Sequence, residues 1–361
     1  MARKTVQLVV FTLAAFLIAP VAHGQDWAKA VSLFNQKQYR EAAREFHAVL
    51  NANPDYWQAW YYIGFSHYQL KGYEDAIDSF DNYIKAAGDR EKEKATGYYY
   101  IGFSHYQLKQ YDKSASALQK YAATMDTLKE KVDPFARAAL GRCYIYSERF
   151  ADALAPLVAA AAAPEMKSNA ANHYYIGFAY YKLNRTDDAI SSLNQSLTID
   201  PKDPDALSLL GDIYLARSRQ NPADAAKAIA IGERLLAVAS TERAWGLLGQ
   251  AYLVDKQFAK AAPLLDKYAK AHPDNASSWF SLGLALSRSD QFKAAETALE
   301  QAVKLAPTNV AAMIELGYVY EADKQPEKAL PVYERAFEAS GRRDETARSS
   351  IQRLKQQLGK S

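Results

Sequence analysis

Two histidines, His67 and His105, occupy the same place in two copies of one segment. Matched imidazoles raise the question of a metal site. Such a site needs more donors, and neither histidine has a Cys or an acid at helical ligand spacing beside it. Both are read as packing side chains. Cys143 is the only cysteine, which excludes an internal disulfide; it reads as a small apolar residue inside a helix rather than a reactive thiol. Asn184-Arg185-Thr186, Asn194-Gln195-Ser196 and Asn275-Ala276-Ser277 are formal glycosylation sequons of a kind that arises by chance. Asp187-Asp188 reads as a solvated helix start, and the charges from Asp89 to Lys94 as a solvated junction. No glycine-rich phosphate loop, Ser-His-Asp set or carboxylate pair stands out. The sequence points away from an enzyme, and neither cofactor nor metal is expected.

Recognition is the chemistry that remains. The chain has 25 Tyr, 14 Phe and 5 Trp, and a surplus of rings with polar tips suits half-buried positions. Tyr61, Phe65 and Tyr68 are spaced i, i+4 and i+7, as are Tyr99, Phe103 and Tyr106, and Tyr174, Phe178 and Tyr181. That spacing puts each trio on one stripe of a helix. Trp27 adds a ring nearer the N-terminus. An exposed aromatic stripe is a candidate interaction site, because soluble proteins seldom leave large apolar patches bare and Tyr and Trp anchor interfaces. These ten residues form the candidate partner-binding set. The competing reading is that they pack across neighbouring structural units. An occupant would be an extended Pro-rich peptide or an inserted helix.

The elements that position these rings are repeated. The segment from Tyr61 to Lys71 recurs unchanged from Tyr99 to Lys109, and a diverged copy runs from Tyr174 to Leu183. Aligning on its small residue gives Ala30, Gly64, Gly102, Gly141, Gly177, Gly211, Gly249, Gly283 and Gly317, with spacings of 34, 38, 39, 36, 34, 38, 34 and 34. With the small residue counted as position 8, apolar positions 4, 7, 8 and 11 form one helical stripe, and 17, 20, 24 and 27 form a second. Pro54, Pro201, Pro273 and Pro307 end the second helix of their units. A lone hairpin leaves an apolar face uncovered, so neighbours must stack.

The contents of each period resemble the tetratricopeptide repeat, W-x2-L-G-x2-Y…A-x3-F…P. The clearest copy has Trp279, Leu282, Gly283, Phe292, Ala295, Leu299, Ala302 and Pro307; another has Trp245, Leu248, Gly249, Tyr252, Phe258, Ala261, Leu265, Tyr268 and Pro273. The resemblance covers residues 25–341 as about nine repeats. It implies an all-α fold, a right-handed superhelical solenoid of antiparallel helix pairs. Ligands are then expected in a concave groove lined by positions 2, 5, 9, 12 and 13 of each first helix, where the ten aromatic residues fall. Residues 342–361 read as a capping helix and tail, with Ile351, Leu354 and Leu358 at i, i+3 and i+7. Departures from the pattern are Ser114 for the usual Ala, Thr186 for the usual aromatic, and an insertion at Asn221-Pro222. Extra residues near Asp89 to Lys94 and Asp126 to Asp133 are expected to lengthen helix ends. Relatives that clamp a chaperone's terminal carboxylate use Lys and Asn at positions 5 and 9. Here those places hold Trp27 and Val31, Tyr61 and Phe65, then Tyr99 and Phe103, so the resemblance does not extend to that clamp.

Residues 1–24 have the parts of a secretory signal: Arg3 and Lys4, an apolar run from Val6 to Ala19, Pro20, and Ala22-His23-Gly24. Cleavage after Gly24 is expected, with a periplasmic or secreted product; an uncleaved signal would be its only membrane contact. Without Arg3 and Lys4, 42 basic residues face 41 acidic ones, and so near-neutral a chain lacks the footprint of a nucleic-acid binder. The expectation is a periplasmic scaffold or adaptor with a protein or peptide partner. The alternative is a glycan-binding accessory protein of polysaccharide export or envelope assembly, since sugars also stack on aromatic faces. In the sixth and seventh repeats the groove positions turn polar, with Asp205, Ser208 and Asp212, then Arg243, Gly246 and Gln250.

Overall fold

The computed structural model describes residues 24–359. The expected signal, 1–24, lies outside them except for Gly24, which opens the first helix. Among the described residues there are nineteen α-helices and one short 3-10 helix, with no strand, and no helix is long and apolar enough to cross a membrane. The chain divides into two compact units, which meet in sequence between Met166 and Lys167.

Unit 1 holds four helix pairs: α1 (Gly24–Asn35) with α2 (Tyr39–Ala52), α3 (Ala59–Gln69) with α4 (Tyr73–Ala87), α5 (Glu91–Gln107) with α6 (Tyr111–Thr127), and α7 (Pro134–Tyr146) with α8 (Phe150–Ala161). Helices α5 and α6 have 17 residues each, because the extra residues at both junctions are absorbed into helix ends. Unit 2 holds five pairs: α9 (Ala170–Lys182) with α10 (Thr186–Ile199), α11 (Pro204–Arg217) with α12 (Ala223–Val238), α13 (Glu242–Val254) with α14 (Phe258–Ala271), α15 (Ala276–Ser287) with α16 (Phe292–Leu305), and α17 (Val310–Ala322) with α18 (Pro326–Ala339). A last helix, α19 (Glu345–Gln357), lays Ala347 and Leu354, both fully buried, against α18. Within each unit every second helix packs on the first helix of the next pair.

The small residue at position 8 sets how closely the two helices of a pair approach. A Cβ added at Gly102 would lie 2.7 Å from the Leu118 side chain of α6, well inside contact distance. Leu118 is 1% exposed, as buried as the other large side chains that fill these seams, and each such burial is worth about 1.5–3 kcal/mol.

The turn inside each pair is also repeated. Lys37, Lys71, Lys109, Glu148, Asn184, Lys256, Asp290 and Lys324, all at position 15, have φ between 57° and 64°. Each lets the following N–H donate to the carbonyl at position 11, as Gly72 N does to His67 O at 2.9 Å. This closing bond belongs to a turn that usually takes glycine. The sixth pair departs from it. Ser218 has no positive φ, and the inserted Asn221-Pro222 leads into Asp224, which is fully buried. Asp224 accepts from Arg217 Nε at 3.0 Å and Lys227 Nζ at 2.9 Å, so an ionic tie closes this hairpin.

Candidate functional site

Three of the ten aromatic candidates are core residues. Trp27 is 6% exposed, and Phe65 and Phe103 are 7% exposed. Trp27 meets Phe46 edge-on at 5.2 Å and stacks on Tyr56 at 5.7 Å. Phe65 lies between Phe34 (5.4 Å) and Tyr100 (5.6 Å), and Phe103 packs on Tyr99 at 4.7 Å. At Trp27 and Phe65 the expectation of exposed rings fails for a physical reason visible in the doubled tyrosines, whereas Phe103 is packed by Tyr99 of its own helix. The second of each doublet, Tyr62 and Tyr100, turns inward and stacks on a phenylalanine of the preceding pair. Tyr62 lies 4.7 Å from Phe46 at 15°, and Tyr100 lies 4.8 Å from Phe80 at 8°. In the second repeat, Tyr100 then closes over Phe65 at position 9. Tyr62 and Tyr100 are therefore seam residues that the candidate set omitted, and the doubling was the signal for them.

The remaining candidates of unit 1, Tyr61, Tyr68, Tyr99 and Tyr106, are half-buried, each keeping part of its surface in solvent. Tyr61 packs near Tyr83 (5.8 Å) and Tyr68 near Tyr73 (5.6 Å), and Tyr106 packs near Tyr111 (5.8 Å). The Tyr99 hydroxyl donates to Asp133 Oδ2 at 3.2 Å. Asp133 also caps α7, its Oδ1 accepting from Phe135 N at 2.6 Å. Burial pushes Tyr68 and Tyr106 up to about 12, so these phenols stay protonated at neutral pH and offer no general base. Arg142, at position 9 of α7, sits over the Tyr106 ring at 5.3 Å. In unit 2, Tyr174 and Phe178 are half-buried with rings 6.2 Å apart, and Tyr181 is 40% exposed.

Unit 2 carries a small polar pocket of about 250 Å³ where the groove positions change character; its lining includes Asp212, Arg243, Gln250, Tyr268 and Asn275. Arg243 donates to Ser208 Oγ at 2.7 Å and pairs with Asp212. Gln250 Nε2 donates to Ser281 Oγ at 2.8 Å. Gly246 at position 5 admits the Tyr268 ring, since a Cβ there would lie 2.9 Å from it. Burial raises the Asp212 carboxyl, against the pull of Arg243.

The two histidines and the cysteine each have a partner of their own. His67 faces Asp75 at 3.9 Å, and His105 bonds Gln110 at 2.7 Å; both are half-buried. Among the described residues no three of His, Cys, Asp and Glu stand together as a metal site. Cys143 is fully buried and donates to Ser114 Oγ at 3.2 Å, and Ser114 donates in turn to the Gly102 carbonyl at 2.7 Å. The unusual Ser114 thus has a local partner, and burial pushes the Cys143 thiol up to about 11.

Family profiles agree with this architecture. A sequence profile described as tetratricopeptide repeat matches residues 28–91, 210–276 and 280–343, more than half of the chain. Two further profiles, a TPR repeat and a tetratricopeptide repeat, match residues 177–217 and 97–124. No curated protein matches the sequence. Among solved structures, YrrB, described as a TPR protein with an unusual peptide-binding site, is 17% identical, with a TM-score of 0.49 over 54% of this chain and 97% of its own. MamA of AMB-1 is 28% identical, with a TM-score of 0.42 over 47% of this chain and 98% of its own. MamA of Desulfovibrio magneticus RS-1 is 22% identical, with a TM-score of 0.43 over 48% and 97%. Repeats of this kind build extended binding surfaces and are typically protein-interaction scaffolds without catalytic chemistry. Helix pairs in register, small residues at each close approach and profile matches over most repeats lead to one assignment: the chain belongs to the tetratricopeptide-repeat family.

Proposed function

We propose that this protein is an exported, non-catalytic adaptor of the bacterial periplasm that holds a peptide or helix of a partner on the aromatic stripe of its first helices. The observation that carries the reading is the set Tyr61, Tyr68, Tyr99 and Tyr106. These four rings recur at fixed positions of α3 and α5, anchored at their bases yet still partly in solvent. Rings held this way lose little side-chain freedom on binding, which suits them as anchors. The export part rests on the signal-like residues 1–24.

A photo-reactive phenylalanine analogue placed at Tyr68 or Tyr106 should cross-link a partner in intact cells, while the same group at Gln119 on α6 should not. Equal cross-linking from all three positions would remove the stripe as the site. The N-terminus of the mature protein should begin at Gln25; an intact Met1 would end the periplasmic assignment. The glycan alternative is favoured by the unit 2 pocket, where Tyr268 is ringed by Asp212, Arg243, Gln250 and Asn275. Soluble envelope oligosaccharides titrated against the protein and against a Tyr268→Ala variant test it, with loss of binding in the variant as the expected result.

A further inference from the structure

Across positions 2, 5, 9, 12 and 13 of α1, α3, α5 and α7, one residue is charged, Arg142. It is half-buried, and its Nε is closed off from solvent with no hydrogen-bond partner. Among the described residues no Asp or Glu forms an ion pair with it; its guanidinium lies over Tyr106 instead. Arg217, buried to a similar degree, bonds both Asp187 and Asp224, and even the exposed Arg243 and Arg288 each hold a carboxylate. A guanidinium stays charged at any physiological pH. Desolvating part of it without an anion is unfavourable, and an aromatic face offsets only some of that.

We infer that the segment bound on unit 1 carries a single acidic side chain, Asp or Glu, whose carboxylate pairs with Arg142 while its apolar neighbours lie on Tyr106 and Tyr68. The inference rests on the aromatic-stripe reading above and adds the partner's chemistry to it. One cation asks for one carboxylate, and an acidic run would leave its other charges uncompensated against rings. A chain terminus fits less well, because its backbone needs polar donors at positions 5 and 9, where α3 and α5 present Tyr61, Phe65, Tyr99 and Phe103. Arg142 also differs from a point charge in being able to take a carboxylate with two parallel N–H bonds.

The test is selection of random dodecapeptides, displayed inside a carrier loop so that neither end is free, against the full chain and its Arg142→Met and Arg142→Lys variants. Wild type and the Lys variant should enrich one Asp or Glu flanked by Pro or apolar residues, and the Met variant the same flanks without the acid. Changing that acid to its amide in a selected peptide should weaken binding to wild type by about tenfold or more and leave binding to the Met variant unchanged. Enrichment of the flanks without an acid by wild type overturns the pairing and leaves the stripe standing. Binding only to peptides with a free C-terminus also overturns the pairing. No enrichment of any sequence overturns both.

Discussion

Position 6 of the first helices sets α3 and α5 apart from the later pairs. In unit 1 it holds Tyr62 and Tyr100 there, each stacked on a phenylalanine of the pair before, and Ala28 and Ala139 in α1 and α7. In unit 2, past Tyr175, it holds Leu209, Leu247, Ser281 and Glu315. Polar ties between pairs, present in unit 1 from Tyr99 to Asp133 and from Cys143 to Ser114, then take over from the rings. Unit 2 uses Arg217 to Asp187, Arg243 to Asp212, Gln250 to Ser281, and Ser287 to Glu315. Helix starts differ along the chain as well. Asn169, Asp203, Thr241, Asn275 and Asn309 cap the first helices of unit 2 with their side chains, and Asp133 does so for α7 in unit 1, whereas α3 and α5 begin at Gln58 and Arg90 without a side-chain cap. One scaffold thus accepts two kinds of cohesion. Ring stacking is broad and tolerant of direction, while polar ties consume their own donors and acceptors. The first kind leaves rings that can turn their outer faces to a ligand; the second leaves a surface already bonded to itself.

The widest difference should appear when position 6 is truncated. Tyr100→Ala empties a ring site that is 7% exposed and should cost about 3–5 kcal/mol, whereas Ser281→Ala should cost less than about 1.5 kcal/mol. Urea unfolding followed by circular dichroism measures both, and similar losses would erase the distinction between the seams. Helix starts come next. Asn309→Ala should cost about 1 kcal/mol, whereas Gln58→Ala should cost only a few tenths, because Gln58 already has helical backbone angles and makes no cap bond; thermal melts read both. Equal losses would contradict the difference between these two helix starts. Smaller again, Lys71→Gly should stabilise by about 0.5–1 kcal/mol by relieving a positive φ. Ser218→Gly, in the one pair without that turn, should not stabilise.

The smallest signal is a difference in pH slope between Asp133 of unit 1 and Asp224 of unit 2. The hydrogen bond from Lys227 holds the Asp224 carboxyl below its ordinary value, with Arg217 assisting and burial opposing. Its contribution is present at neutral pH and is lost as pH falls below about 4. Asp133 is shifted the other way by burial, which outweighs its bonds from Phe135 and Tyr99. Its ionised form is disfavoured in the fold, so its penalty grows as pH rises through the carboxylate range. Relative to wild type, Asp224→Asn should therefore destabilise at pH 7 and be harmless in acid. Asp133→Asn should be more favourable at pH 7 than in acid. Slopes of the same sign would contradict this pairing of causes.

The repeat was readable because Gly and Ala at position 8 recur with a common base period, which only stacked hairpins explain. The two helices of each pair, the lengthened α5 and α6, and the burial of Cys143 inside a helix all follow from residue types at known positions. The candidate binding face was less legible. Phe65 at position 9 is closed by Tyr100 of the next repeat, so it cannot be placed without Tyr100. Arg142 stood in plain view at position 9, but its lack of an acid is a three-dimensional fact. The polar pocket around Arg243 has the same character, since Ser208 and Asp212 lie some 30 residues away from it in sequence. The tie that replaces the usual turn in the sixth pair was marked by Asn221-Pro222, but the burial of Asp224 was not.

The asparagines that cap α15 and α17 have a consequence for how such a chain can change length. Asn275 and Asn309 stand 34 residues apart, and each bonds the first N–H groups of the helix it precedes. Joining Asn275 directly to Val310 would delete one whole hairpin and hand its asparagine to the next helix without altering a cap, a turn or a register. Inserting the same stretch twice would do the reverse. Unequal recombination within this part of the gene therefore lands on foldable products, so shortened or extended versions are accessible in single genetic steps.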